Sequence, residues 1–167
     1  RADGKGGMSY GPRHLDFHPS KPWAYVSIES QNQLHMHTIE GDSLSAAPLW
    51  NKPTTLGEYD LFFPQAAGGI HVHPDGRAVY VSNRANARVE IQGQKVFRGG
   101  ENNIAVFAID SKTGEPTRIQ NAPTGSYHVR TFSLDPTGRL MVAASIDGMD
   151  VAGREGVRHV PAALTVF

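Results

Sequence analysis

Cysteine is absent from this sequence, which removes disulfide frameworks, thiolate metal sites and thiol nucleophiles together without fixing the compartment. Charge of one sign is absent too. Across 167 residues, 16 Lys and Arg balance 16 Asp and Glu, so no net field draws the chain to nucleic acid or to an anionic membrane. No apolar run approaches the roughly 18 to 20 residues that cross a bilayer as a helix. No long segment keeps a 3.6-residue apolar period, which argues against a helical fold. The chain begins Arg1-Ala2-Asp3-Gly4, with neither an initiator Met nor the apolar core of a signal peptide. It is expected to be the middle of a longer polypeptide, and its compartment stays open.

Turn chemistry is plentiful instead. The 18 glycines and 11 prolines separate short apolar stretches, the pattern of many turns joining short strands. Three segments superimpose when Pro19, Pro74 and Pro136 are aligned: GPRHLDFHPSKPWAYVSIE from Gly11, AAGGIHVHPDGRAVYVSNR from Ala66 and HVRTFSLDPTGRLMVAASI from His128. Each reads as an alternating strand, a tight turn and a second strand, the signal of a β-hairpin. A third strand follows at Leu34, Ile104 and Leu164, and a fourth is expected at residues 43–49 and 115–119.

Four antiparallel strands recur with spacings of 55 residues (Pro19 to Pro74) and 62 residues (Pro74 to Pro136). This predicts an all-β fold made of four-stranded β-propeller blades, at about residues 11–50, 66–120 and 128–167 of a single propeller domain. An unrelated β-sandwich is the alternative, but its strands would have no reason to hold register across three units. The last unit stops inside its third strand, at Phe167. About two and two-thirds blades cannot close a ring, so the remainder of the propeller chain is an expected partner.

The register also places polar residues. Positions six before and ten after each proline lie at the end of the hairpin away from its turn, facing each other. They are Arg13 and Glu29, Gly68 and Arg84, and Arg130 and Ile146. Arg13, Glu29, Arg84 and Arg130 are therefore expected on one rim around the central funnel. One carboxylate among guanidinium groups suits a small anionic ligand, with Glu29 available as a general base or acid. A local cross-strand ion pair between Arg13 and Glu29 explains the same pattern without a site. His14 and His71 lie on first strands and could meet a substrate. His18 and His73 sit beside the turn prolines, where structural roles are expected. His35 and His37 share one face of a third strand, but no third ligand stands near to complete a zinc site. No metal and no cofactor is expected.

Segments 85–102 and 147–162 are insertions between second and third strands, predicted to wall the funnel as loops. Their charged residues, Arg88, Glu90, Lys95, Arg98, Arg154, Glu155, Arg158 and His159, read mainly as solvated surface.

The blocks Gly11-Pro12-Arg13-His14, Phe17-His18-Pro19 and Ala24-Tyr25-Val26 with Glu29 resemble the seven-bladed lactonase family. That family includes 6-phosphogluconolactonase and 3-carboxy-cis,cis-muconate lactonizing enzyme. Ile70-His71-Val72, Pro74-Asp75-Gly76-Arg77, Tyr80, Arg84, Arg130 and Asp135-Pro136-Thr137-Gly138 extend the likeness. The resemblance implies hydrolysis of a sugar-acid lactone, phosphorylated or not, with Arg13, Glu29 and Arg84 as catalytic residues. His14, His71 and Arg130 would bind the substrate. A further histidine of the family's site belongs to an earlier blade, outside this chain. A non-catalytic propeller that binds a small anion or a protein is the alternative from another class. A metal-dependent lactonase is a third reading, disfavoured by the scattered acidic residues.

Overall fold

The computed structural model describes residues 10–58 and 64–167. Three antiparallel sheets follow one another along the chain. The first contains β1 (Pro12–Phe17), β2 (Trp23–Ile28), β3 (Gln33–Glu40), a two-residue β4 (Ser43–Leu44) and β5 (Trp50–Pro53). The second contains β6 (Gln65–Val72), β7 (Ala78–Ala85), β10 (Asn103–Ile109) and β11 (Pro116–Pro123), in the order β11-β10-β7-β6. The third contains β12 (Tyr127–Leu134), β13 (Met141–Asp147) and β16 (Leu164–Val166). These are propeller blades, and the aligned prolines mark the turn between the first two strands of each.

The blades associate through apolar faces. Trp23, Tyr25, Leu34 and Met36 of the first pack on Ile70, Val79, Val81 and Phe107 of the second. Ile104 and Val106 on the other face of the second blade meet Val129, Phe132 and Met141 of the third. Burial of each large side chain contributes roughly 1.5–3 kcal/mol, so stacking, more than any single ladder, sets how the strands are arranged. The outer faces stay open. Leu15 and Phe17 on β1 are exposed at one end, as are Leu164 and Val166 on β16 at the other.

The fourth strands depart from expectation. Residues 43–49 do not form one strand in the first blade. Ser43 and Leu44 pair only with the end of β3, and the fourth strand proper is β5, pairing Gln33↔Pro53 through Met36↔Trp50. Pro48 cannot donate to a ladder, and the strand resumes where Trp50 can pack against the interblade core. In the second blade the fourth strand runs on to Pro123, well past residue 119.

The two insertions are hairpins rather than irregular loops. One pairs β8 (Arg88–Ile91) with β9 (Gln94–Phe97), and the other pairs β14 (Met149–Gly153) with β15 (Gly156–Val160). The hairpins meet each other, with β14 against β9 and the Arg88 guanidinium donating to the Gly148 carbonyl at 3.1 Å. Val96, Met149 and Val160 are buried, whereas Arg88, Glu90, Lys95, Arg154, Glu155, Arg158 and His159 are exposed.

Candidate functional site

Each first strand is bulged at the same place. The pairing slips between Pro12 and His14, between Ala67 and Ile70, and between Val129 and Thr131. The residues in the slips are Arg13, the Gly68-Gly69 pair, and Arg130. A bulge breaks the strict alternation of a strand and re-aims the extra side chain. Opposite the first bulge, Glu29 opens a short 3₁₀ turn (Glu29–Gln31) after β2, and its N–H donates to the Gly11 carbonyl at 2.7 Å.

These devices bring Arg13, Glu29 and Arg84 together. Arg13 Nη1 lies 2.8 Å from Glu29 Oε1, and Arg84 Nη2 donates to the same oxygen from the neighbouring blade. The cross-strand pair anticipated between Arg13 and Glu29 is therefore real, and a cross-blade pair is added to it. Among the described residues Glu29 Oε2 takes no hydrogen bond, and the Nε of both arginines is buried without a partner. Burial, then the nearness of Arg13 and Arg130, pulls Arg84 below its ordinary basicity against the Glu29 carboxylate. Arg130 is exposed. It makes no ion pair or hydrogen bond among the described residues and reaches Arg84 only through charge.

His14 and His71 border this cluster. Burial, followed by the Arg13 charge and with smaller effects from His71 and Arg84, lowers the His14 pKa while Glu29 opposes it. His71 Nδ1 is 3.6 Å from Asp16 Oδ2, and its ring meets Phe132 edge-on at 5.0 Å between centroids. All six residues singled out in the sequence thus fall in one neighbourhood. The remaining histidines are elsewhere. His18 and His73 bond turn carbonyls of the next blade. His35 and His37 are buried, held by Gln33 and by the Ser45 carbonyl.

His128 and Asp147 extend the cluster and were not among the residues singled out from the sequence. Arg84 Nη1 lies 2.9 Å from His128 Nε2, and His128 Nδ1 lies 3.4 Å from Asp147 Oδ2. His128 comes eight residues before its aligned proline, just outside the span where counting predicts neighbours. Its signal is the backbone, a left-handed φ of 55° that a residue with a Cβ seldom adopts. Beside it a cleft of about 270 Å³ opens between Phe97, Asn102, Ser126, Tyr127 and Arg158. Asn102 belongs to both places, since its Oδ1 accepts the His128 N–H at 2.8 Å.

Comparison with known proteins identifies the family and the fold. The family profile described as "Lactonase, 7-bladed beta-propeller" matches residues 4–152. The 6-phosphogluconolactonase of Bacillus subtilis strain 168 is 32% identical over 139 residues, which are 81% of this chain and 34% of that protein. The 6-phosphogluconolactonase of Formosa agariphila is 25% identical over 139 residues, 81% of this chain and 33% of that protein. The chain thus spans about a third of the length of these curated relatives. Among solved structures, the periplasmic gluconolactonase of Pseudomonas aeruginosa superimposes with a TM-score of 0.67 at 24% identity, over 95% of this chain and 43% of that one. A Lactobacillus plantarum protein does so with a TM-score of 0.67 at 22% identity, over 95% of this chain and 46% of that one. With that family match across most of its length, this chain belongs to the lactonase family of seven-bladed β-propellers.

Proposed function

We propose that the intact protein hydrolyses a sugar-acid lactone, of the 6-phosphogluconolactone kind, at the rim where Arg13, Glu29 and Arg84 meet. The observation that carries this reading is the division of labour within the cluster. One Glu29 oxygen is shared by guanidinium groups from two blades, and, among the described residues, the other oxygen is unpaired and Arg130 stands beside them without a counter-ion.

Water attacks the lactone carbonyl carbon, the ring C–O bond breaks, and the product is the open hydroxy acid. Glu29 Oε2 orients that water or takes its proton, which passes to the ring oxygen as the C–O bond breaks and leaves it a hydroxyl. Arg13 and Arg84 supply N–H donors and positive charge where the carbonyl oxygen becomes an oxyanion. Arg130, with no pair to break, takes the acid or phosphate group of the substrate, and His14 and His71 flank it. Such lactones also open spontaneously, so the enzyme has only a modest barrier to lower. The exposed apolar faces at Leu15 and Phe17 and at Leu164 and Val166 are where we expect further blades to pack.

Lactone hydrolysis by the intact protein, corrected for the spontaneous rate, tests the reading. Glu29→Gln is expected to lower kcat by about 10²-fold or more. Wild-type turnover in that variant removes Glu29 from its role. Binding of 6-phosphogluconate with no hydrolysis above background by the wild type would identify a binding propeller instead.

A further inference from the structure

We infer that His128 is a positioning residue of this site: its Nε2 accepts the hydrogen bond that aims Arg84 at Glu29, and protonation of the His128–Asp147 pair releases that arginine. The kinetic part of this inference rests on the lactonase reading.

The hydrogen-bond inventory dictates the tautomer. A guanidinium carries only donors, so the 2.9 Å contact from Arg84 Nη1 requires an unprotonated Nε2. In a neutral imidazole the hydrogen then sits on Nδ1, which faces Asp147 Oδ2 at 3.4 Å. The Asn86 amide nitrogen lies 3.1 Å from Nδ1, and that amide complements an Nδ1–H when its oxygen occupies the same place.

Arg84 has few other anchors. Among the described residues its Nε is buried without a partner, and the guanidinium is held by Glu29 through Nη2 and by His128 through Nη1. Without His128 the guanidinium could pivot about its bond to Glu29, and the donor aimed at a developing oxyanion would wander.

The histidine is itself held in place at a cost. Its left-handed backbone is unfavourable for a residue other than glycine. The Asn102 side chain secures it by accepting the His128 N–H while bonding both the N–H and the carbonyl of Ala85, the residue after Arg84. One inserted segment thus ties the backbones of His128 and of Ala85, next to Arg84, to a common clamp.

The charged groups around the imidazole set the direction of its response. Arg84 faces it from β7, Arg130 from its own strand and Asp147 from β13, with Glu29 behind Arg84. Burial first, then Arg84 and Arg130, hold its pKa below the ordinary imidazole range, while Asp147 opposes them. Protonation would place an N–H and a positive charge directly against a guanidinium N–H. The contact cannot survive that change.

Lactone hydrolysis between about pH 5 and pH 8, with His128→Gln, His128→Leu and Asp147→Asn in the intact protein, tests this together with imidazole ¹⁵N NMR. Wild type should lose kcat/KM on an acidic limb. Asp147→Asn removes the carboxylate that favours the imidazolium, and should move that limb to lower pH. Gln keeps an acceptor for Arg84 but cannot titrate, so it should lose the limb and retain at least about tenfold more activity than Leu at pH 8. NMR of the wild type should show Nε2 unprotonated at pH 8. Equal activity of the Gln and Leu variants, an acidic limb unmoved by Asp147→Asn, or a protonated Nε2 at pH 8 would each overturn the inference. If the wild type hydrolyses no lactone but shows this tautomer, and Asp147→Asn lowers the His128 midpoint by NMR, the lactonase reading fails while the Arg84–His128 latch stands.

Discussion

His73 of the second blade lies with its Nε2 3.1 Å from the Gly138 carbonyl in the turn of the third. The first blade repeats the contact, with His18 Nε2 3.0 Å from the Gly76 carbonyl. Each histidine precedes its blade's aligned proline, and each glycine lies two residues after the next one, so a single repeat position stitches neighbouring turns together.

Glycine is needed in both of these stitches. Gly76 and Gly138 have φ of 76° and 70°, and a Cβ there would stand 2.5 Å and 2.2 Å from the imidazole Nε2 of His18 and His73. Gly138→Ala should lower unfolding stability by about 1–3 kcal/mol, and His73→Ala by about 0.5–1.5 kcal/mol. Denaturant titration of the intact protein measures both. An unaffected Gly138→Ala protein would show that the turn relaxes away from His73.

A second stitch runs through the core. The Tyr25 hydroxyl donates to the Gly114 carbonyl at 2.9 Å, from a side chain with no solvent exposure, and burial pushes its pKa far above the ordinary tyrosine value. Tyr25→Phe strands that carbonyl away from water. It should cost about 1–3 kcal/mol, readable as a lowered denaturation midpoint with an unchanged m-value. No change in midpoint would mean that water reaches Gly114.

Substitutions at the arginines should separate binding from chemistry. Arg130→Gln removes a cation that has no ion pair among the described residues, so KM for a phosphorylated lactone should rise about tenfold, more than kcat falls. Arg84→Lys offers one ammonium where a planar fork spans Glu29 and His128, and kcat/KM should fall about 10–100-fold. Steady-state kinetics decide. A KM unaltered by Arg130→Gln would remove that residue from substrate binding.

Stability should fall in mild acid. Burial, before any charge effect, holds His14, His35 and His128 below the ordinary imidazole pKa. As pH falls through about 6.5, the unfolded chain takes up protons that these folded sites resist. Their stabilisation is complete above that pH and is lost towards the lower folded values. The melting temperature of the intact protein should therefore drop between pH 8 and pH 5, less steeply in His35→Gln. Asp16 acts further down. Burial raises its pKa, but hydrogen bonds from His71, Val72 and Phe17 outweigh it, so its stabilisation is lost below about pH 4. A melting temperature constant from pH 8 to pH 5 would contradict the histidine effect.

The sequence by itself determined the blades, their register and the facing of Arg13 with Glu29, because a hairpin's pairing follows from its turn and from a two-residue period. It placed the first three strands of each blade close to where they lie, and it predicts Arg13, Glu29, Arg84 and Arg130 on one rim. It misplaced the fourth strand of the first blade, whose course depends on Pro48 and on where Trp50 finds the interblade core, and it ended that of the second blade short of Pro123. It left the insertions as loops, although Gln92 and Gly93, both at positive φ, make the tight turn that lets β8 and β9 pair. Only the tertiary structure decided which partners the charged side chains take. Arg84 reaches Glu29 across 55 positions of sequence and His128 across 44, distances over which no strand periodicity carries information. Those contacts depend on how blades stack and where bulges turn side chains out of the pleat, and stacking is settled by apolar faces from different blades closing on each other.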